Sequence, residues 1–519
     1  MADSSSRGPD RWLVALLALG AVLIFWDLGG RDLWEDEAHT ALLGRSIAAR
    51  GLPYGTDGLN RVTAEAGRDL DQGGLWRWSP WLQFYAEAGA MKLLGPANWV
   101  CRLPFALAGL GCVALVYLLG LRLWSSLSAA RWSAAVLLAS VPFLLHVRQA
   151  RWYALAFVFV TGMLLALPGL ARGQKKSAAL WGACAVLLFY TNHLVALGVM
   201  AAFIVSAWAV LPGRAFWKTG AWTLACVLVL VLPGIWYHGL LPQKSGMPLG
   251  YFRQLAFYGA AFLTFVLPLP MLLLAGQEAW RPGGGEPGRA ARFLLVFCAV
   301  YIAILSAGSW GMFRYLSVLL PVAAVLCGLA LSALWQRRSA AAAAVFVLLA
   351  ATDVLHSIPL QQLKAPGTKL ADRFPAWGPV RFPWAGFLYE LSHPLPSCDR
   401  TLREYLAAQA GPRDVVIASY GDFPLQYYTG LQVLGGLQGR ELVPDADWIV
   451  LRSLVLSMEP GQDYDVVRYV LGGGVDLRRY EKVDLACPDL VLANSSEPWH
   501  HLFRVPPDAR PLELLRRKP

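Results

Sequence analysis

Three consecutive acids, Glu35, Asp36 and Glu37, stand between Trp34 and Ala38-His39, shortly after an apolar run ends. Acids in this position have two readings. They can satisfy the orphan N–H groups and positive dipole end of a helix read from Asp36 to Arg50, or one of them can serve as a base held at a membrane surface. A second cluster, His146-Val147-Arg148-Gln149-Ala150-Arg151-Trp152-Tyr153, puts two arginines in a connection too short to be a domain. The guanidinium is a planar fork that matches phosphate oxygens, which makes a lipid-linked phosphate a natural partner. The plainer reading is that both arginines snorkel to lipid headgroups. Tyr190-Thr191-Asn192-His193 and Arg314-Tyr315 complete the set. A lone histidine between helices is usually a packing residue, whereas Arg314 is a third cation beside an apolar run.

The elements that must position these residues follow from composition. Of 519 residues 56% are hydrophobic and only 15% charged, whereas soluble domains carry about a quarter charged residues. This is the profile of a membrane protein. The net charge of +11 is scattered between apolar runs, not gathered into basic stripes, so nucleic acid is excluded as a partner. The 22 Trp, 18 Tyr and 22 Phe recur near the ends of those runs, where amphipathic rings favour the interface with membrane lipids.

A spanning helix needs about 20 apolar residues, because only a closed backbone hydrogen-bond ladder survives in hydrocarbon. By that rule the chain holds about eleven candidates: Trp12–Leu28, Leu103–Leu121, Trp132–His146, Tyr153–Leu170, Ala178–Tyr190, His193–Leu211, Thr219–Tyr237, Leu255–Ala275, Phe293–Ala307, Tyr315–Trp335 and Ala340–His356. With the N-terminus cytoplasmic, the short inner loops carry Arg122 and Arg131, then Arg172, Lys175 and Lys176, then Arg214 and Lys218, then Arg281, Arg289 and Arg292, then Arg337 and Arg338. This is the positive-inside pattern of a multi-pass protein in the inner (plasma) membrane. The expected fold is therefore a polytopic α-helical membrane domain over 1–357, with interfacial helices in a first extracytoplasmic loop at 29–102, and a small extracytoplasmic α/β domain over 358–519.

In that second domain Val415–Ser419, Trp448–Leu451 and Leu490–Ala493 read as short buried strands and Leu402–Ala410 as a helix. Its two cysteines, Cys398 and Cys487, are either a disulfide of an oxidising compartment or two buried thiols. Trp499-His500-His501 reads as a surface loop, because adjacent histidines point apart on most backbones. The chain has no phosphate-binding Gly-Lys-Ser/Thr loop and no paired-histidine zinc motif.

In this topology the acids and the cations fall at one membrane face. One carboxylate to take an acceptor's proton, with arginines to hold a departing phosphate, is the set required to move a sugar from a polyprenyl phosphate. A phosphate leaves as a stable anion and needs no general acid, unlike ordinary glycoside hydrolysis with its two carboxylates. Leu33-Trp34-Glu35-Asp36-Glu37-Ala38, Arg102-Leu103-Pro104-Phe105-Ala106, Val147 to Leu155, Tyr190 to His193 and Arg314-Tyr315-Leu316 with Pro321 together resemble the GT-C superfamily of polyprenyl-phosphate-dependent glycosyltransferases, specifically bacterial protein O-mannosyltransferases and lipid A aminoarabinose transferases. That resemblance implies an inverting transferase of a hexosyl or pentosyl group, acting from a polyprenyl-phosphate sugar onto a hydroxyl of an envelope glycan, lipid or protein. It implies Asp36 as general base with Glu37 beside it, and Arg148, Arg151 and Arg314 on the donor phosphate. His39, His193, Tyr153 and Tyr315 are further candidates. Glu35-Asp36-Glu37 departs from the DxD pattern that would hold a divalent metal, so no metal ligand or cofactor is assigned and a divalent metal remains an alternative. A transporter or lipid-linked sugar flippase would also have many spans and basic loops. The sparsity of charge within the spans and the absence of internal repeats favour the enzyme.

Overall fold

The computed structural model describes residues 10–211, 213–239, 250–308, 311–357, 381–435, 438–452 and 465–519. Each of the eleven apolar runs is helical. Helix α1 (Arg11–Phe25) is followed by α2 (Glu35–Arg50) and α3 (Leu82–Leu94) in the first loop. Then come α4 (Asn98–Trp124), α5 (Leu127–Ala139), α6 (Val141–Val147), α7 (Tyr153–Ala171), α8 (Lys175–Thr191), α9 (His193–Val210) and α10 (Arg214–His238). The series closes with α11 (Tyr251–Phe265), α12 (Leu269–Ala279), α13 (Gly285–Leu305), the short α14 (Phe313–Leu316), α15 (Leu320–Arg337) and α16 (Ser339–Ala351).

Length separates spans from other apolar helices. Among the described residues six helices are long and apolar enough to cross a membrane, or eight if each of two bent pairs is one span. The expected count of about eleven is not reached, because α1, α8 and α16 have 15, 17 and 13 residues. At about 1.5 Å per residue they fall short of a hydrocarbon core about 30 Å thick. The bent pairs are α5 with α6, at 69°, and α11 with α12, at 89°. Both breaks carry proline, Pro142 at the start of α6 and Pro268 with Pro270 at the start of α12. Proline removes a backbone donor and cannot continue the preceding ladder.

The described residues form two compact units. The first holds residues up to Trp26, Phe105–Leu388 and Ser496–Trp499; the second holds Asp27–Pro104, Tyr389–Ser495 and His500–Pro519. The 29–102 segment and the described residues from Tyr389 to Ser495 are thus grouped in one unit. The expected boundary after 357 adjoins residues 358–380, which lie outside the described residues.

Within the first unit α5 lies between glycines of two other helices. A Cβ at Gly120 of α4 would meet Ser133 Oγ at 2.9 Å and Ala130 Cα at 3.1 Å. A Cβ at Gly328 of α15 would meet Ala129 O and Ser133 N at 2.7 Å. Small residues at such contacts let backbones approach closely where lipid removes the hydrophobic drive to associate.

The second unit carries a five-stranded sheet in the order β2-β1-β3-β5-β4, built from β1 (Val415–Ala418), β2 (Gln432–Gly435), β3 (Trp448–Leu451), β4 (Tyr480–Pro488) and β5 (Pro511–Arg517). β1 pairs in parallel with β2 and β3, and β5 pairs antiparallel with β3 and β4. One face packs Leu402 and Leu406 of the Cys398–Gln409 helix on Val416, Val433 and Trp448; the other packs Val466 and Val470 on Ile417 and Ile449. The expected strand at Leu490–Ala493 is a turn, closed by Ala493 N–H donating to Leu490 O at 2.9 Å. Its apolar side chains supply burial without a ladder. Cys398 and Cys487 meet with their Sγ atoms 3.0 Å apart.

Gly328→Leu is expected to cost about 1–3 kcal/mol by forcing α5 and α15 apart. Gly259→Leu, where a side chain meets nothing within 4 Å, is expected to be nearly neutral. Thermal unfolding of both variants in detergent distinguishes them.

Candidate functional sites: the acids of the second unit and the arginines of the first

The three acids open α2, which begins one residue earlier than its sequence pattern suggests. Successive helical residues are rotated by about 100°, so the three carboxylates enter different surroundings. Glu35 is buried and shares a hydrogen bond with buried Asp422, whose Oδ2 also accepts from Gln438 Nε2 at 2.5 Å. Burial and the nearby Asp422 charge push the Glu35 carboxyl well above the usual range, and burial raises Asp422 as well. A carboxylate pair so placed keeps a proton between its members.

Glu37 is fully buried and clasped by Arg102, whose Nε and Nη2 donate to its two oxygens at 2.7 Å each. The same guanidinium donates through Nη1 to the carbonyls of Leu28 and Arg31 at 2.8 Å, and through Nη2 to that of Asp32 at 3.2 Å. Asn494 Nδ2 adds a further donor to Glu37 at 3.2 Å. Asp36, between them, is half-buried. His39 is packed among rings, 4.5 Å from Trp76, 5.3 Å from Phe423 and 6.1 Å from Phe84 between centroids.

The first unit assembles the arginine cluster. The turn between α6 and α7 meets α14: the Trp152 ring stacks 6.0 Å from Tyr315, and His146 lies edge-on to Phe313 at 5.6 Å. Half-buried Arg151 and Arg314 are the chain neighbours of that stacked pair. Tyr153 is fully buried, 4.8 Å from His146, and Tyr315 O accepts from Tyr301 Oη at 2.8 Å. Arg148 closes the end of α1, its Nη1 donating to the carbonyls of Leu23, Ile24 and Trp26 at 3.0, 2.9 and 2.8 Å. His193, at the start of α9, stacks 6.3 Å from His238 and belongs to a separate contact. Among the described residues no three of His, Cys, Asp and Glu are grouped to hold a metal ion.

No protein-family model matches the chain, and no curated protein matches it in sequence. Solved structures do match. The apo structure of ArnT from Cupriavidus metallidurans aligns over 97% of this chain and 97% of its own, at 14% identity and a TM-score of 0.62. ArnT from the same organism bound to undecaprenyl phosphate aligns over the same shares at 14% identity and a TM-score of 0.58. The chain has the fold of these two ArnT structures. Its six to eight membrane-length apolar spans among the described residues make this a multi-pass membrane protein.

Sequence reasoning named the three acids and the arginines but missed Asp422 and Glu497, and it met Asn494 only within the glycosylation acceptor pattern Asn494-Ser495-Ser496. No motif marks Asp422 or Glu497. The surface loop expected at Trp499-His500-His501 holds for exposed His500 only. His501 is buried, with Nε2 2.7 Å from Glu390 Oε2 and Nδ1 3.0 Å from Ser495 O.

Arg102→Met leaves Glu37 buried without its main counter-charge and is expected to cost about 3–5 kcal/mol, whereas the double variant Arg102→Met/Glu37→Leu recovers much of that loss; unfolding midpoints in detergent test both. A carboxyl raised in the fold binds its proton more tightly than the unfolded chain does, so its contribution is complete at low pH and is lost as pH rises above the ordinary value, about 4, through the raised one. Asp422→Asn is accordingly expected to gain stability relative to wild type as pH is raised from 5 to 9, read from paired melting curves.

Proposed function

We propose that the chain is an integral membrane glycosyltransferase that moves a sugar from a polyprenyl-phosphate donor to an acceptor hydroxyl on the extracytoplasmic face, with the N-terminus cytoplasmic. The observation that carries this reading is the separation of the three acids: Glu35 is tied to Asp422 and Glu37 to Arg102, while Asp36 between them is half-buried at the start of α2. Glu35 and Glu37 are buried, whereas Asp36 has exposure enough to meet a substrate. The GT-C fold supports the same class, since the similar ArnT was solved with undecaprenyl phosphate bound.

In this reading the acceptor oxygen attacks the anomeric carbon, Asp36 takes its proton, and the bond from that carbon to the phosphate oxygen breaks. Negative charge grows on the departing polyprenyl phosphate, where Arg151 and Arg314 act. Attack from the face opposite the phosphate inverts the anomeric centre. Arg148 is assigned to holding the end of α1 and not to the donor, because its Nη1 serves three carbonyls there. The acceptor is a hydroxyl of an envelope glycan, lipid or protein.

Asp36→Asn preserves shape and removes the base. In nanodiscs with a panel of polyprenyl-phosphate sugars and crude envelope as acceptor, release of free polyprenyl phosphate is expected to fall by about 10²–10⁴ while donor binding persists. Equal release by wild type and variant would transfer the role away from Asp36. Failure of wild type to bind any donor would sink the transferase reading.

A further inference from the structure

The tetrapeptide Ser496–Trp499 comes from the C-terminal part of the chain yet belongs to the first unit. Its anchor is aromatic: the Trp499 ring sits 5.5 Å from Phe257, 5.9 Å from Phe265 and 6.0 Å from Phe313. Two residues earlier, Glu497 is 3% exposed and takes three donors from one short stretch. Its Oε2 accepts from Phe313 N–H at 3.0 Å, and its Oε1 from Arg314 N–H at 3.1 Å and from Arg314 Nε at 3.3 Å. A buried carboxylate held in this way is rigid, and it grips the backbone and the side chain of one arginine together. The guanidinium is planar, so fixing Nε while the backbone is also held sets the direction of its Nη1–Nη2 edge. That edge is the one whose two parallel N–H bonds match a pair of phosphate oxygens.

We propose that Glu497 is a positioning residue that orients Arg314 toward the phosphate of a polyprenyl-phosphate lipid, so that the C-terminal segment completes the donor site through the Ser496–Trp499 insertion. This rests on the reading of the chain as a polyprenyl-phosphate transferase. It assigns a role at the donor to a part of the chain that carries none of the catalytic motifs, and it gives a reason for this tetrapeptide to pack in the first unit.

The test is a double-mutant cycle on full-length protein in nanodiscs, with undecaprenyl phosphate as the probe and the uncharged alcohol undecaprenol as its control. Glu497→Ala and Arg314→Ala are each expected to weaken undecaprenyl phosphate binding by about tenfold and to leave undecaprenol unchanged, and the double variant is expected to be no weaker than Arg314→Ala alone. Glu497→Gln keeps the volume and one acceptor oxygen, so it is expected to lose about threefold; it carries the cycle if the alanine variant does not fold, as judged by melting and gel filtration. The proposal is overturned if a folded Glu497 variant binds the lipid phosphate as wild type does, or if the two losses multiply. In both of those cases Arg314→Ala still loses binding and the transferase reading stands. If wild type shows no preference for undecaprenyl phosphate over undecaprenol, the transferase reading and this proposal fall together.

Discussion

One buried guanidinium organises the segment that carries the candidate base. Arg102, 3% exposed, donates to both oxygens of Glu37 and to the carbonyls of Leu28, Arg31 and Asp32. A charge taken out of water costs several kcal/mol unless its donors are met. These five bonds meet that cost, and in doing so they pin the chain from Leu28 to Glu37 around a single group. The start of α2, and with it Asp36, is placed by this constraint. Glu35 reinforces it from the other side through its shared proton with Asp422. The acid in the middle is thereby held on a rigid helix start, which is what a base needs if it is to meet a substrate hydroxyl in a constant geometry.

The arginine cluster obeys the same rule by other means. Here the rigid frame is aromatic, with Trp152 on Tyr315 and His146 on Phe313, so the turn before α7 and the short α14 are locked against each other. Arg151 and Arg314 are carried by the two locked elements. Arg148 lies in the same turn yet closes the end of α1. Two arginines three residues apart in the sequence thus differ in surroundings, and what sets the Arg148 contact is which carbonyls lie within reach.

Lipid imposes the remaining constraint. Without water to drive apolar surfaces together, the helices of the first unit approach through Gly120 and Gly328 on either side of α5.

Periodicity and length in the sequence alone determined the helical character of all eleven apolar runs, the helix beginning at the acids, the strands β1 and β3, and the helix before them, because each depends on contacts within a few residues. The bends after α5 and α11 fall at Pro142 and at Pro268 with Pro270, but the runs read as continuous in the sequence, and Pro104, Pro168 and Pro233 lie inside unbroken helices. Only the tertiary structure decided how many of these helices have the length to span, that Leu490–Ala493 is a turn, and which of three adjacent acids is paired with what. The partners lie far away in the chain: Arg102 is 65 residues from Glu37, and Glu497 is 183 from Arg314. Composition and periodicity report the neighbourhood along the chain, whereas the fate of a buried charge depends on which distant group arrives to satisfy it.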